Sequence, residues 1–508
     1  MKSKHWLCAL LFALCASIAA CAPASTPAPI SSSPAPTVAP TPAPPASTAA
    51  TPLANAALPD DEAKNLLYAL TGDDTAAREN AFQKILAARD TRFVAAFIEV
   101  LRAGQIGLVE RELAFRAVAA LGELTGQSFQ DDWASWIEWY GASALQPPPG
   151  FTGWKGKILA GIDERFAEFL RDDAPSKIRV EEIQWGGVRV DGIPALENAA
   201  MLPAADATFL KPEEPVFGIE LNGDARAYPL RILDWHEMAN DVIGGVPVSL
   251  AYCTLCGAAI AYDGRASNGQ TYTFGSSGFL FRSNKLMYDK QTRTLWNQFT
   301  GEPVLGVLAQ ENITLNLLPV VLTSWQNWRT EHPETKVLDW DTGHSRVYEP
   351  GAAYGNYFAS PELMFPVWQR SKQLPDKARV YGLRVDNVPK AYPLDTLVEK
   401  RVVNDAVGQT PVVLIATRGR VTVNGDSIRA GPVQYDAGGE VRAYKRGAEI
   451  FSPGSDADSI IDAKGNVWRV TEEALVGPNG ARLERVGGHL AYWFGWFAFF
   501  PNAQVYMP

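Results

Sequence analysis

The sequence predicts an α+β protein: an N-terminal run of short helices arranged as an α-solenoid, followed by a mostly-β, internally duplicated domain. Three observations predict it. Between Asp60 and about Gly141 the apolar residues recur at helical spacing. Beyond residue 150 the pattern changes to strand alternation, broken by Asn222-Gly223 and Gly244-Gly245. Finally, a stretch of that second region beginning at Val216 returns, without a gap, from Val380.

The chain begins "MKSKHWLCALLFALCASIAAC", with Lys2 and Lys4 ahead of an apolar stretch that closes on small residues. A segment this short reads as a secretory signal and not as a membrane span. Ile18-Ala19-Ala20-Cys21 resembles a bacterial lipoprotein box, which implies removal of residues 1–20 and lipidation of Cys21. The membrane is then a partner through the lipid anchor. Ala22, in place of an aspartate, implies by the same resemblance the outer membrane where the host has one. Cleavage removes Cys8 and Cys15 and consumes Cys21, so of five cysteines only Cys253 and Cys256 remain and a disulfide framework is excluded. Losing Lys2 and Lys4 takes the formal net charge from −10 to −12, and no Lys/Arg run survives, so nucleic acid is not an expected partner.

Residues 21–58 are almost wholly Pro, Ala, Ser and Thr beyond Cys21, a composition that builds no core and serves as a tether. In 59–145 the helical stripe runs through Leu66, Leu67 and Leu70, then Phe82, Ile85 and Leu86, then Phe93, Phe97, Val100 and Leu101, then Leu113, Val118, Leu121 and Leu124. Gly72, Gly104 and Gly126 are expected helix stops. The succession resembles HEAT-type repeats, whose solenoids present a surface to a protein partner. Trp133, Trp136, Ile137 and Tyr140 continue the spacing as a packing stripe.

After "PPPG" at 147–150 comes the duplicated domain, 150–508, with copies at about 216–338 and 380–506. "VFGIELNGDARAYPLRILDWHEMANDVIGGVPV" matches "VYGLRVDNVPKAYPLDTLVEKRVVNDAVGQTPV" at twelve of thirty-three positions. Trp325, Trp328, Pro333 and Val337 share the spacing of Trp493, Trp496, Pro501 and Val505. Each unit should contain two short strands, a helix opened by Pro229 and ending near Met238, and a hairpin leading into "VPVSLAYC". Residues common to both copies, such as Tyr228, Asn240 and Asp241, are expected to serve the fold. By the same offset His236 faces Lys400, Cys253 faces Thr417 and Cys256 faces Arg420, so the metal-capable side chains belong to the first copy alone.

Cys253-Thr254-Leu255-Cys256-Gly257 admits three readings. A redox pair of thioredoxin type needs a helix after the first cysteine, and "GAAIAYDG" reads as strand. A disulfide would close a very small, strained loop. A metal knuckle places two cysteines on a hairpin turn with Gly257 in the left-handed region. The knuckle reading makes Cys253 and Cys256 ligands, with His236 the third and Asp234, Glu237, His344 or water the fourth; thiolate with imidazole suits zinc or copper. Downstream, Arg282, Asn284, Tyr288, Asp289 and Trp296 form a candidate ligand pocket, echoed in the second copy by Asp462 to Trp468. "HEMAN" lacks the second histidine of a zinc protease, "GSSGF" lacks the last glycine of a serine nucleophile elbow, and no phosphate-binding glycine loop occurs. Hydrolase and nucleotide chemistry are thereby disfavoured.

"WGGVRVDGIPAL", "RAYPLRILDWHEMANDVIGGVPVSLAYCTLCGAAIAY", "LMYDKQTRTLWNQFTGE" and "LPVVLTSWQNWRTEHPETKVL" together resemble the prokaryotic domain-of-unknown-function family numbered 3179, over roughly 150–400 or further. His236, Cys253 and Cys256 match its pattern, whereas Gly257-Ala258-Ala259 replaces a Gly or Asn followed by a small hydroxyl residue. The resemblance implies no reaction. The expectation is a metal-binding envelope lipoprotein; the alternatives are a thiol–disulfide oxidoreductase or copper-handling protein using the same pair, and a non-catalytic interaction scaffold.

Overall fold

The computed structural model describes residues 57–507. The expected signal peptide, the expected lipidation site at Cys21 and nearly all of the expected tether lie outside the described residues. Among those described, no helix is long and apolar enough to cross a membrane.

The N-terminal part is helical: α1 (Asp60–Ala69), α2 (Thr75–Ala88), α3 (Phe93–Gln105), α4 (Arg111–Thr125), α5 (Trp133–Gly141) and α6 (Phe151–Leu159). Asp74 and Asp132 cap α2 and α5, each accepting two backbone N–H groups. Gly126 ends α4 in the left-handed region, as its sequence position suggests. Gly104 has a different role. It lies inside α3, and a Cβ there would meet the Ala114 Cβ at 2.4 Å, so it permits the close approach of α3 and α4. Trp136, Ile137 and Tyr140 are buried, as a packing stripe requires. α6 lies beyond the expected 145 boundary, and Phe151 and Trp154 enter the same core. Trp368, from the sheet-rich part, enters it too: its ring meets Tyr140 at 5.9 Å, and its carbonyl lies where a Cβ on Gly141 would sit.

The C-terminal part is rich in sheet. Pro215–Leu221 and Asp224–Pro229 form a hairpin, Leu230–His236 is a helix, and Met238–Ile243, Val246–Cys253 and Ala258–Ala266 follow as an antiparallel meander. Arg379–Val385 and Val388–Pro393, Leu394–Lys400, Val402–Val407 and Thr410–Ile415 run in the same order. The registers also agree. Gly218 pairs with Ala227 and Val321, and Gly382 with Ala391 and His489. Val337 lies parallel to Ala227, as Val505 does to Ala391.

Polar clamps recur at these positions. The Tyr228 hydroxyl donates to Asp241 at 2.6 Å and that of Tyr392 to Asp405 at 2.8 Å. The Asn240 and Asn404 side chains each hold both the N–H and the carbonyl of one residue, Phe274 and Phe451. Trp328 and Trp496 lie on Gly218 and Gly382, where any Cβ would come within 2.3 Å of the indole. These shared residues therefore serve the frame.

One turn differs. Ala251 pairs with Ile260 across the Cys253–Gly257 turn, whereas Ile415 pairs with Arg442, because the chain between makes the extra hairpin Arg420–Ser427 and Gly431–Gly439. Arg420 belongs to that excursion, so it is not the counterpart of Cys256 that a constant offset suggests.

Candidate functional site

Val246–Cys253 and Ala258–Ala266 close on each other through the pair Cys253–Ala258, leaving Thr254 to Gly257 as the turn. Gly257 has φ +58°, and a Cβ there would press on the Arg379 guanidinium at 2.9 Å. The tip is gripped from outside. Leu255 O accepts from the Tyr357 hydroxyl at 2.7 Å, and Cys256 O from the Tyr492 N–H at 2.7 Å. Gly495 lies against Cys256, since a Cβ on it would fall 3.2 Å from the sulfur. Residues far along the chain therefore lock this hairpin in place.

Both cysteines are free and buried, with 1% and 0% exposure. The Cys256 thiol lies 3.3 Å from Ser283 O, and Asn284 directs its amide N–H at the same sulfur from 3.5 Å. Burial pushes the Cys256 thiol well above its usual range. Burial opposes ionisation of Cys253 too, but hydrogen bonding with Cys256 and with the Lys285 backbone holds it below the usual thiol range. Beside them lies a buried ion pair. Lys285 Nζ reaches the Glu237 carboxylate at 3.3 Å and the Glu237 carbonyl at 3.0 Å, and Thr254 Oγ1 donates to Glu237 at 2.9 Å. Glu237 occupies the left-handed cap of the helix Leu230–His236. Asp234, on that helix, is buried with Oδ1 unpartnered, and burial raises its carboxyl well above the ordinary range. A narrow cleft lined by Glu237, Leu255, Lys285, Tyr354 and Met364 reaches the Glu237–Lys285 ion pair.

His236 is not turned to the sulfurs. Glu237 O accepts from Tyr252 N, tying the end of the helix to the strand that carries Cys253, yet the His236 ring leaves toward other partners. Nδ1 contacts Pro194 O at 2.8 Å and Nε2 the Tyr348 hydroxyl at 2.5 Å, and burial lowers its pKa to about 4. Among the described residues the one group of three Cys, His or acidic ligand atoms within 4.8 Å of one another is Glu331, His332 and Glu472, so the two sulfurs and His236 do not form such a group. Glu331 and Glu472 are occupied by Arg418, Arg442 and Arg485.

The downstream polar residues divide. Asn284 reaches the thiol pair. Arg282, two positions earlier, instead pairs with Glu182 at 2.6 Å and donates to Ala498 O. Tyr288 donates to Asp191 at 2.7 Å. Asp289 accepts the Trp296 indole N–H at 2.8 Å together with the Thr294 N–H, and Asp462 accepts Trp468 at 3.0 Å. The Asp-to-Trp echo is thus a turn clamp made twice. Sequence reasoning missed Lys285 and Ser283. The available signal was a lysine inside the apolar strand Asn284–Asp289, which needs a buried counter-charge.

The model of the family described as "Protein of unknown function (DUF3179)" matches residues 190–503, from before the first hairpin to beyond the last helix. The chain belongs to this family. The DUF3179 region contains the thiol pair, the Glu237–Lys285 ion pair and both runs of matching elements, while α1 to α6 precede it. Neither the curated proteins nor the solved structures include a match to the chain.

Proposed function

We propose that this DUF3179 protein is an exported, lipid-anchored envelope protein whose β-rich part arose by internal duplication and holds one soft transition-metal ion between Cys253 and Cys256. The observation that carries the reading is two free, fully buried sulfurs on one turn, with N–H donors from Asn284 and Lys285 aimed at them. Such donors stabilise thiolate charge in a dry site. Zinc in a closed site takes four ligands, and among the described residues no third Cys, His or acidic atom joins these two within 4.8 Å. A monovalent, soft ion that accepts two sulfurs alone, copper(I), suits the pair best. The matching registers of 215–229 and 379–393 support duplication, and the succession α1 to α5 supports a HEAT-like helical region with a protein partner.

A thiol–disulfide oxidoreductase is the second reading, favoured by the split between a lowered Cys253 and a raised Cys256. Burial of both sulfurs opposes it, because exchange requires an approaching thiol to reach one of them. Metal content of the full chain, beside Cys253→Ser/Cys256→Ser, tests the choice. The expected result is about one copper per chain, lost in the double variant and outcompeted only by a strong copper(I) chelator. A metal-free chain whose two thiols form a reversible disulfide would transfer the assignment to redox chemistry.

A further inference from the structure

We propose a second transition-metal site, separate from the cysteine pair, formed by His236, His344 and Tyr348 and selective for a divalent first-row ion such as copper(II). It rests on geometry that the thiol site does not use. The Nδ1 of His236 lies 2.8 Å from Pro194 O, an acceptor only, so the ring proton sits on Nδ1 and the lone pair on Nε2. Metal-binding histidines are oriented in this way, with the far nitrogen tied to a carbonyl or carboxylate. Nε2 faces the Tyr348 hydroxyl at 2.5 Å. The His344 ring stands 5.2 Å from that of His236, centroid to centroid, and is tilted by 51°. With metal–nitrogen bonds of about 2.0–2.1 Å and ligand angles from about 90° to about 110°, two imidazoles sharing an ion have ring centres roughly 4.5–5 Å apart.

The loop that brings His344 and Tyr348 is held at several points. Trp235 Nε1 donates to Val347 O at 2.8 Å, Arg231 donates to Tyr348 O, and Phe209 stacks on Trp340 with centroids 5.7 Å apart. Thr342 Oγ1 meets the Tyr348 hydroxyl at 2.5 Å and accepts the His344 N–H at 3.3 Å. Asp339 and Asp341 add negative charge to the loop, and Arg346 turns its guanidinium onto the Trp235 ring. His344 is exposed, so an ion arrives from solvent with no need for the core to open. Two imidazoles and a phenol suit copper, zinc or nickel over magnesium or calcium. Binding replaces the Tyr348–His236 hydrogen bond: the phenol proton leaves to solvent, and the phenolate oxygen and Nε2 both turn their lone pairs on the ion.

The test is titration of copper(II) into the full chain carrying Cys253→Ser/Cys256→Ser, read by electron paramagnetic resonance and visible absorption. The expected result is one bound ion with hyperfine coupling to two nitrogens and a phenolate-to-copper charge-transfer band. His344→Ala, an exposed substitution, should weaken binding by about tenfold or more. Tyr348→Phe should abolish the charge-transfer band while keeping nitrogen coupling. No ion at one equivalent, or a bound ion whose spectrum and affinity ignore His344→Ala, overturns the proposal. If the double cysteine variant does not fold, cobalt(II) is added to the unaltered chain, where a site of nitrogen and oxygen ligands lacks thiolate charge transfer. Those nitrogen–oxygen bands should vanish in His344→Ala, and their persistence overturns the proposal equally.

Discussion

Residues 215–338 and 379–505 build the same frame, and they part company at one turn. Gly218 lies beneath Trp328 as Gly382 does beneath Trp496, and Tyr228 clamps Asp241 as Tyr392 clamps Asp405. In the first region the meander turns back within Thr254–Gly257 and carries two thiols there. In the second the chain runs out into the hairpin Arg420–Gly439 before it resumes the sheet. That hairpin returns to cover the first region, where a Cβ on Gly438 would fall 2.6 Å from the Leu322 side chain. The difference teaches that buried polar residues in these sheets are of two kinds. Those present in both regions hold strands together, while the thiols, the Glu237–Lys285 pair and Asn284 are spent at a place where only one region makes a tight turn.

Trp328→Ala and Trp496→Ala each empty a fully buried site, so each should cost about 3–5 kcal/mol in denaturant unfolding. A large loss from one and none from the other would end the equivalence of the two frames. A second test uses His489, which faces Gly382 just as Val321 faces Gly218. Burial lowers its pKa to about 4 from an unfolded value near 6.5. The folded state therefore binds fewer protons across that window, and stability present above pH 6.5 is lost as the pH falls toward 4, by up to about 3 kcal/mol. His489→Val, which copies the other region, should flatten this part of the stability-against-pH curve; an unchanged acid slope would show that His489 is not its source.

Smaller effects sharpen the picture. Tyr228→Phe and Tyr392→Phe each leave a carboxylate short of one donor and should cost about 1–3 kcal/mol, alike in the two regions by thermal or chemical melts. Gly257→Ala places a Cβ at positive φ against Arg379, for a cost of about 1 kcal/mol. It should also raise the rate at which the buried thiols react with a small alkylating reagent, because the turn that seals them must shift. No change in that rate would show that Gly257 does not hold the seal.

Much of the frame was legible in the chain. Helical spacing located α1 to α5, and Asn222-Gly223 and Gly244-Gly245 marked two hairpins whose strands pair as the alternation requires. The left-handed Gly257 followed from a glycine directly after the second cysteine. α6 is not legible in the chain, because "PPPG" suggests a boundary and nothing local shows that Phe151 and Trp154 join the helical core. The hairpin Arg420–Gly439 is hidden in the sequence because an ungapped offset continues to align residues after the extra hairpin has begun. Chain proximity alone places His236 with the cysteines. Its helix does lead into the strand beside Val246–Cys253, but the ring is drawn to a carbonyl at Pro194 and a hydroxyl at Tyr348, and neither contact is local.

Sequence alone determined the order of elements, the repeated hairpins and the placement of two cysteines on one tight turn, because periodicity, turn residues and spacing act over a few neighbouring positions. Only the tertiary structure decided which groups face the sulfurs and which face His236. Ser283, Asn284, Lys285 and Gly495 reach the thiols from strands and a helix far along the chain, and Pro194, His344 and Tyr348 reach the imidazole in the same way. Burial in a shared core sets those distances, and it raises Cys256 and holds His236 neutral by removing water that no local pattern records.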